Sequence, residues 1–194
     1  KNLTKEYVQQ GKKVLVTTTT HMGLEPGMVL SEKPDDIRQQ LEKQNFCICG
    51  SPVKEEKIAS LPKDIYEQVC QLADIVLVEA DGSKHMPIKF PAAHEPVIPE
   101  FADIVVGVTG LDCIGKKICD IAHRPEDVAE FLRKKTDEPV MWEDVVKIAS
   151  SENGLRKNVG EKSFLVYFNK ADVLESPGMA ENIIKKCREA GIEA

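Results

Sequence analysis

The chain has 194 residues, of which 42% are hydrophobic and 30% charged, and its formal net charge is -6. This length suits one domain with a sizeable core, and the composition is that of an ordinary soluble globular protein. The negative charge gives no reason to expect a nucleic-acid or anionic-membrane partner, and no apolar run approaches the roughly 20 residues of a membrane-spanning helix. Six scattered cysteines favour reduced thiols, so we expect a cytoplasmic location.

Helical and strand patterns alternate along the whole chain. The predicted elements are helices over residues 1–10, 34–44, 61–72, 125–134, 142–151 and 179–190, and strands over 13–20, 46–50, 101–110 and 164–168 and from 75 onward. Residues 51–60 are predicted to form a turn or an edge hairpin, so the segment 46–60 is expected to be a small edge insertion. Alternation of this kind predicts an α/β fold, a three-layer sandwich with a mostly parallel sheet, as a single domain over 1–194.

The strand that begins at Ile75 has four consecutive apolar residues and then two acids, Glu79 and Asp81, followed by Gly82. An uninterrupted apolar run predicts a strand covered on both faces, and ligands bind beyond the carboxyl ends of such strands. Alternate residues of a strand share a face, so both carboxylates are predicted to reach one Mg²⁺ ion. Gly82 would allow close approach of the backbone to a phosphate. The alternative is a charged strand end that begins a loop.

The predicted strand over 13–20 ends in four threonines, and a histidine follows it. Thr18, Thr19 and Thr20 are predicted to line the phosphate side of a nucleotide site, and His21 is a candidate catalytic or switch residue. The alternative is that the threonines are simply good strand formers and the histidine is structural.

Asn169, Lys170 and Asp172 form an Asn-Lys-X-Asp motif directly after the last strong strand. An Asp carboxylate accepts two hydrogen bonds from the N1–H and exocyclic amine of guanine, which adenine does not offer. A lysine stem can lie along the base, and the asparagine can brace the loop. The motif therefore predicts guanine recognition, since such a site rejects a base that lacks these donors. The alternative is a polar turn with Asp172 as a helix cap.

Several cationic residues lie in loops after predicted strands, where they would neutralise phosphate charge. These are Lys84, Lys89, Lys116 and Arg124, and the alternative for each is a solvated surface charge. Lys84 is predicted to be catalytic together with Glu79, Asp81 and His21. His94 and Glu95 lie between prolines and, with Lys89 and Arg124, are predicted to form a second substrate or partner site. The sequence His123-Arg124-Pro125 precedes a helix whose N-terminus can hold an anion.

The proline-rich segment 85–99 is too long for filler in a compact domain, and its proline spacing excludes a regular helix. The chain contains no Gly-X-X-X-X-Gly-Lys-Ser/Thr phosphate loop. Its first residues have the pattern of the second half of a helix. We therefore expect a first strand and phosphate loop upstream of residue 1, and weak or absent nucleotide binding by the 194 residues alone.

Several motifs together resemble the YqeC family, proposed accessory proteins for selenium-dependent molybdenum hydroxylases. They are Val-Leu-Val-Thr-Thr-Thr-Thr-His-Met from 14, Val-Glu-Ala-Asp-Gly-Ser-Lys-His-Met-Pro-Ile-Lys from 78, Pro-Ala-Ala-His-Glu-Pro-Val-Ile-Pro from 91, Val-Thr-Gly-Leu-Asp-Cys-Ile-Gly-Lys from 108, His-Arg-Pro-Glu from 123 and Asn-Lys-Ala-Asp from 169. The resemblance covers nearly the whole chain in order. Cys47 and Cys49 depart from the family pattern, in which that strand is simply apolar, so two small buried hydrophobes are favoured over a thiol pair that holds a soft metal or selenium.

The resemblance implies a P-loop NTPase fold with Mg²⁺ and GTP or ATP, and a role in maturing selenium-dependent molybdenum hydroxylases or their cofactor. The first functional hypothesis is a Mg²⁺-dependent NTP-hydrolysing maturation factor that favours GTP. The alternatives are a nucleotide-dependent binding protein with little hydrolysis, and a kinase or nucleotidyl transferase that acts on a molybdopterin-type cofactor.

Overall fold

The computed structural model describes residues 2–54, 56–174 and 176–194. Helices and strands alternate and the principal strands pair in parallel, so the predicted α/β class with mostly parallel sheets is confirmed. The chain forms two compact units, residues 1–82 and 83–194, called below the N-terminal and the C-terminal unit. A single domain over 1–194 with an edge insertion stays a prediction. None of the helices in the described ranges has the length and apolar character needed to cross a bilayer.

Two small sheets organise the N-terminal unit. Its elements are α1 (Asn2–Gln9), β1 (Val14–Thr18), β2 (His21–Gly23), α2 (Pro34–Gln44), β3 (Phe46–Ile48), β4 (Ser51–Val53), β5 (Lys57–Ala59), α3 (Lys63–Cys70) and β6 (Ile75–Glu79). A parallel sheet has the strand order β3-β1-β6. An antiparallel sheet has the order β2-β5-β4, in which β4 and β5 form the hairpin expected within 51–60.

The helix α2 illustrates how local sequence sets the elements. Pro34 occupies its first turn, where a missing N–H costs nothing, and two acids follow it at the positive end of the helix dipole. Asn45 ends the helix in the left-handed conformation, and its N–H donates to the Leu41 carbonyl. Ile37 and Leu41 face inward and pack in a cluster of buried residues with Leu15, Cys47 and the inner face of α3.

The C-terminal unit is built around a pair of long parallel strands. Its elements are β7 (Ile88–Lys89), β8 (Ile104–Gly110), α4 (Ile118–Ile121), β9 (Ala122–His123), α5 (Pro125–Leu132), α6 (Trp142–Ser150), β10 (Ser163–Asn169) and α7 (Pro177–Glu189). β8 and β10 pair over their whole length, with Gly110 opposite Asn169. β7 and β9 form a second, two-residue parallel pair. Residues from α5, α6 and α7 pack in the hydrophobic core of this unit.

Two predicted strands are less buried than their sequences indicate. Every residue of β6 is only half-buried, and Ile104, Val106 and Val108 of β8 are exposed. In the described part of the chain, β6 pairs only with β1 and β8 only with β10, so each is the last strand of its sheet. The prediction of burial on both faces, made for the strand that begins at Ile75, is therefore wrong. β2, α4, β7 and β9 are short elements that periodicity did not reveal.

Candidate functional site

The threonines at the end of β1 and in the turn after it form hydrogen bonds with the end of β6. Thr18 lies opposite Glu79 in the parallel pair, and its hydroxyl donates to the Glu79 carbonyl at 2.8 Å. The same hydroxyl accepts a hydrogen bond from the Thr20 N–H at 2.9 Å. Thr18 therefore uses its hydroxyl to fix the turn, whereas Thr19 and Thr20 are half-buried and closer to solvent.

The two predicted metal ligands lie at the carboxyl end of β6. Glu79 is the last residue of the strand, and Asp81 and Gly82 follow it. A Cβ at position 82 would lie 3.0 Å from Glu79 Oε1, so glycine allows the backbone to pass close to this carboxylate. Within the described residues, no group of three or more His, Cys, Asp or Glu side chains is arranged to hold a metal. Mg²⁺ needs only one or two carboxylates besides water and phosphate, so Glu79 and Asp81 would suffice in type and number, and their role as metal ligands stays a prediction.

His21 belongs to a different sheet from Thr18. It is exposed and begins β2, where it pairs with Ala59 in the antiparallel sheet. Its predicted catalytic role stays a prediction.

The Asn-Lys-X-Asp motif forms an exposed turn at the carboxyl end of β10. Asn169 Oδ1 accepts a hydrogen bond from the Lys170 N–H at 2.9 Å, so the asparagine braces its own turn. Lys170 has a φ of 58°, and a 3₁₀ turn over Ala171–Val173 follows it. Asp172 is exposed in this turn. The motif therefore presents an accessible carboxylate beside a strand end, as guanine recognition requires.

The neighbouring strand end contributes a second acid. Because β8 and β10 are parallel and in register, the turn after Gly110 lies beside the turn after Asn169. Lys170 Nζ lies 2.7 Å from Asp112 Oδ2, which fixes the lysine stem. A Cβ on Gly110 would approach Asp112 Oδ1 to 2.5 Å and the Pro87 Cβ to 2.9 Å. Glycine is therefore required for this packing.

A charge cluster holds the proline-rich segment. Glu95 Oε2 lies 2.7 Å from Lys89 Nζ and 2.7 Å from Arg124 Nη1, and Arg124 Nη2 donates to Oε1 at 3.0 Å. The Ala92 N–H also donates to Oε2, at 3.1 Å. Burial raises the pKa of the Glu95 carboxyl, but the hydrogen bonds from Arg124, Lys89 and the Ala92 amide outweigh it, so this pKa lies well below its usual range.

Two further side chains anchor the same segment. Lys157 Nζ donates to the Ala92 and Ala93 carbonyls, and Asn158 Nδ2 donates to the Pro96 carbonyl at 3.0 Å. His94 is 77% exposed, and its Nε2 lies 3.7 Å from Glu95 Oε1. These contacts hold the segment against other residues of the C-terminal unit, and His94 is exposed.

The structure brings together three of the four residues predicted as a second site, Lys89, Glu95 and Arg124, and places His94 at their edge. Sequence reasoning missed Asp112, Lys157 and Asn158. The position of Asp112 just after a strand was a usable signal, because the same argument had selected Asn169. Lys157 and Asn158 lie 60 or more residues from the carbonyls they bind, and no local pattern indicates such contacts. The functional roles of all these residues stay predictions.

Comparison with known proteins gives one family. The sequence model described as YqeC protein matches residues 1–126. The chain belongs to the YqeC family. One YqeC relative, the Escherichia coli (strain K12) protein named "Uncharacterized protein YqeC", is 27% identical over 193 residues, which cover 95% of this chain and 75% of the relative. No solved structure matches the chain significantly. The YqeC match contains the Thr18–Glu79 region and the Glu95 cluster, whereas the Asn169–Asp172 turn lies outside it.

Proposed function

We propose that the protein binds a guanine nucleotide with Mg²⁺ and serves as an accessory protein in the maturation of selenium-dependent molybdenum hydroxylases. The observation that carries nucleotide binding is the register of β8 and β10, which places Asp172 and the Lys170–Asp112 pair at one carboxyl edge of a parallel sheet. Ligands bind at such edges in α/β proteins. The client class is supported by the motifs through which the chain resembles the YqeC family.

Guanine recognition is assigned to the turn Asn169–Asp172. Asp172 accepts hydrogen bonds from the guanine N1–H and exocyclic amine, and Lys170 lies along the base. Asp112 holds the lysine ammonium at 2.7 Å, which limits the freedom of its stem before the ligand arrives. Preorganisation of this kind reduces the entropy lost on binding.

For the N-terminal unit, we assign Mg²⁺ to Asp81 and Glu79, and phosphate contacts to Thr19, Thr20 and the backbone at Gly82. Thr18 supports these residues through its two hydrogen bonds. In a hydrolytic reaction Glu79, Asp81, Lys84 and His21 are the candidate catalytic residues. Magnesium supplies charge neutralisation on phosphate oxygens.

Binding with little hydrolysis is the second candidate function. One observation favours it over hydrolysis: the Thr18 hydroxyl is already occupied by two hydrogen bonds within the protein. Phosphate release from GTP with Mg²⁺, measured with and without a selenium-dependent hydroxylase client, separates the two. Phosphate release in either condition supports the hydrolytic enzyme. No phosphate release in either condition supports the binding protein.

Guanine recognition is tested with nucleosides, because they carry no phosphate. We expect guanosine, and not adenosine, to shift the backbone amide resonances of residues 169–173. Asp172→Asn should weaken guanosine binding on the order of 10- to 100-fold, the value of a hydrogen bond to a charged group. The same variant should gain xanthosine binding, because the new amide donates to the C2 carbonyl of xanthine.

The matched control is Asp137→Asn, which makes the same change at another exposed position of the C-terminal unit. It should leave guanosine binding unchanged. If Asp172→Asn behaves like this control, the assignment of base recognition to the turn is wrong.

A further inference from the structure

The core of the N-terminal unit contains a pair of thiols that the proposed function does not use. Cys47 and Cys49 are free cysteines, and each is 0% exposed. Cys47 lies in β3, and Cys49 continues the pairing of that strand, because its N–H donates to the Val16 carbonyl at 3.0 Å. Residues two apart in a strand point to the same face, and both cysteines pack in one buried cluster with Leu15. The two thiols therefore lie side by side on the inner face of the sheet.

A buried hydroxyl lies on the same face. Thr17 is two residues after Leu15 on β1, and Leu15 is directly opposite Cys47 in the parallel pair. The Thr17 side chain is 0% exposed, and its Oγ1 has no hydrogen-bond partner of normal geometry among the described residues. A buried hydroxyl without a partner is costly. Ionisation of Cys49 would supply an acceptor, because the Thr17 hydroxyl favours the thiolate form of that residue.

The two thiols hold their protons unequally. The hydrogen bond from the Cys49 thiol lowers the pKa of Cys47 and outweighs burial, which raises it. The same hydrogen bond, followed by burial, raises the pKa of Cys49 above its ordinary value. The pair therefore gives up its first proton at Cys47. The thiolate, not the thiol, is the form of cysteine that binds metal ions.

The spacing of the two thiols favours a bridging ion over a direct bond between the sulfurs. Residues two apart in a strand have Cα atoms about 6.6 Å apart, near the upper end of the roughly 4.4–6.8 Å that disulfides span. An ion between the sulfurs fits this spacing without movement of β3. No third His, Cys, Asp or Glu completes a metal-binding group in the described ranges, so the pair does not suit tetrahedral zinc. Cu(I) prefers soft thiolate ligands and accepts two of them in a line.

We propose that Cys47 and Cys49 form a two-coordinate site for a soft monovalent cation of the Cu(I) class, with Thr17 as a hydrogen-bond donor to one thiolate. Binding releases two thiol protons to solvent and transfers no electrons, so the bound unit carries one net negative charge. The Thr17 hydroxyl offsets part of the cost of burying that charge. β3 has three residues and lies at the edge of its sheet beside a single bridge from Val29, so local opening there admits the ion.

Competition for Cu(I) tests the proposal, with the full 194-residue chain kept reduced and free of oxygen. An excess of the Cu(I) chelator bathocuproine disulfonate competes away ions held by one thiol, and the wild type should retain one equivalent at equilibrium. Cys47→Ala and Cys49→Ala should each lose that equivalent. Cys113→Ala is the matched control and should retain it, because it removes a thiol that is also 0% exposed but lies in the C-terminal unit.

Thr17→Val is the second kind of variant, because it keeps both thiols and the shape of the side chain and removes only the hydroxyl. It should weaken Cu(I) binding about tenfold, the low end for a hydrogen bond to a charged group. It should not lower the stability of the metal-free protein, since Oγ1 has no partner there. This variant keeps the proposal testable if either alanine variant at the thiol pair fails to fold.

Urea denaturation gives a readout that does not depend on the chelator. Saturating Cu(I) should raise the urea midpoint of the wild type and of Cys113→Ala, because a ligand that binds only the folded state stabilises it. It should leave Cys47→Ala and Cys49→Ala unchanged.

Three results would overturn the proposal. They are a wild type that retains no Cu(I), equal retention by Cys47→Ala, Cys49→Ala and Cys113→Ala, and an unchanged Cu(I) affinity of Thr17→Val. The proposal is independent of guanine recognition: Asp172→Asn should leave Cu(I) retention unchanged even if it abolishes guanosine binding, so the two proposals fail separately.

Discussion

The Asn169–Asp172 turn and the Glu95 cluster use similar side chains in different ways. In the turn, Asp172 is exposed, and Lys170 forms an ion pair with Asp112 whose side chains are 46% and 21% exposed. In the cluster, Glu95 is 13% exposed and receives hydrogen bonds from two cations and a backbone amide. The Asp172 carboxylate in the turn is thus accessible to a ligand, whereas the Glu95 carboxylate in the cluster is bound by groups of the protein itself. Under the proposed function, similar residue types would serve recognition in the turn, whereas in the cluster they fix a loop.

The largest effect on stability is expected from a change at Glu95. Glu95→Gln removes the charge that balances Lys89 and Arg124, and breaking a buried pair in this way costs about 3 kcal/mol or more. The free energy of unfolding, measured by urea denaturation, should fall by that amount. Glu100→Gln, at the exposed position just after the proline-rich segment, should change it by less than about 0.5 kcal/mol. Equal values for the two variants would show that the cluster does not stabilise the fold.

The pH dependence of stability gives a second test of the role of Glu95. The pKa of Glu95 is lower in the folded protein than in the unfolded chain, so its contribution to stability is fully present above about pH 4.3 and is lost as the pH falls toward the folded-state value. The stability difference between wild type and Glu95→Gln should therefore shrink below about pH 4, by up to about 1.4 kcal/mol per pH unit. Urea titrations between pH 3 and 7 measure it, and a pH-independent difference would contradict the ion-pair account.

An intermediate effect is expected at Gly110, the last residue of β8. Gly110→Ala places a Cβ 2.5 Å from Asp112 Oδ1 and 2.9 Å from the Pro87 Cβ, and such overpacking costs about 1–3 kcal/mol. We expect reduced stability in urea denaturation and weaker guanosine binding, because Asp112 must move away from Lys170. Gly23→Ala, where a Cβ meets nothing within 4 Å, is the control and should affect neither. Unchanged stability of Gly110→Ala would mean that Asp112 adapts freely.

The smallest effect on stability is expected for the Lys170–Asp112 pair. A double-mutant cycle with Asp112→Asn and Lys170→Gln should give a coupling energy below about 1 kcal/mol, because both side chains are partly solvated. Guanosine affinity should fall in both single variants, since each frees or removes the lysine stem. A coupling energy as large as the effect at Glu95 would remove the distinction between the two regions.

Local sequence was sufficient for most elements of the fold. α2 lies at the predicted residues because Pro34, two acids and a left-handed Asn45 define its ends within one short segment. β6, β8 and β10 follow from apolar runs. The short β2, β7 and β9 escaped prediction because two or three residues have no periodicity, and they form only through pairing with distant segments.

The candidate sites also combine features that local sequence predicts with features that depend on distant segments. The fold class, the acids at the end of β6 and the Asn-Lys-X-Asp turn could be predicted from the sequence, because each follows from local residue patterns. Only the tertiary structure decided which polar groups are already bound: Lys170 by Asp112, and Lys89 and Arg124 by Glu95. It also left Ile104, Val106 and Val108 exposed, although their sequence is that of a buried strand. Hydrogen bonds and burial depend on partners far along the chain, which local composition does not specify.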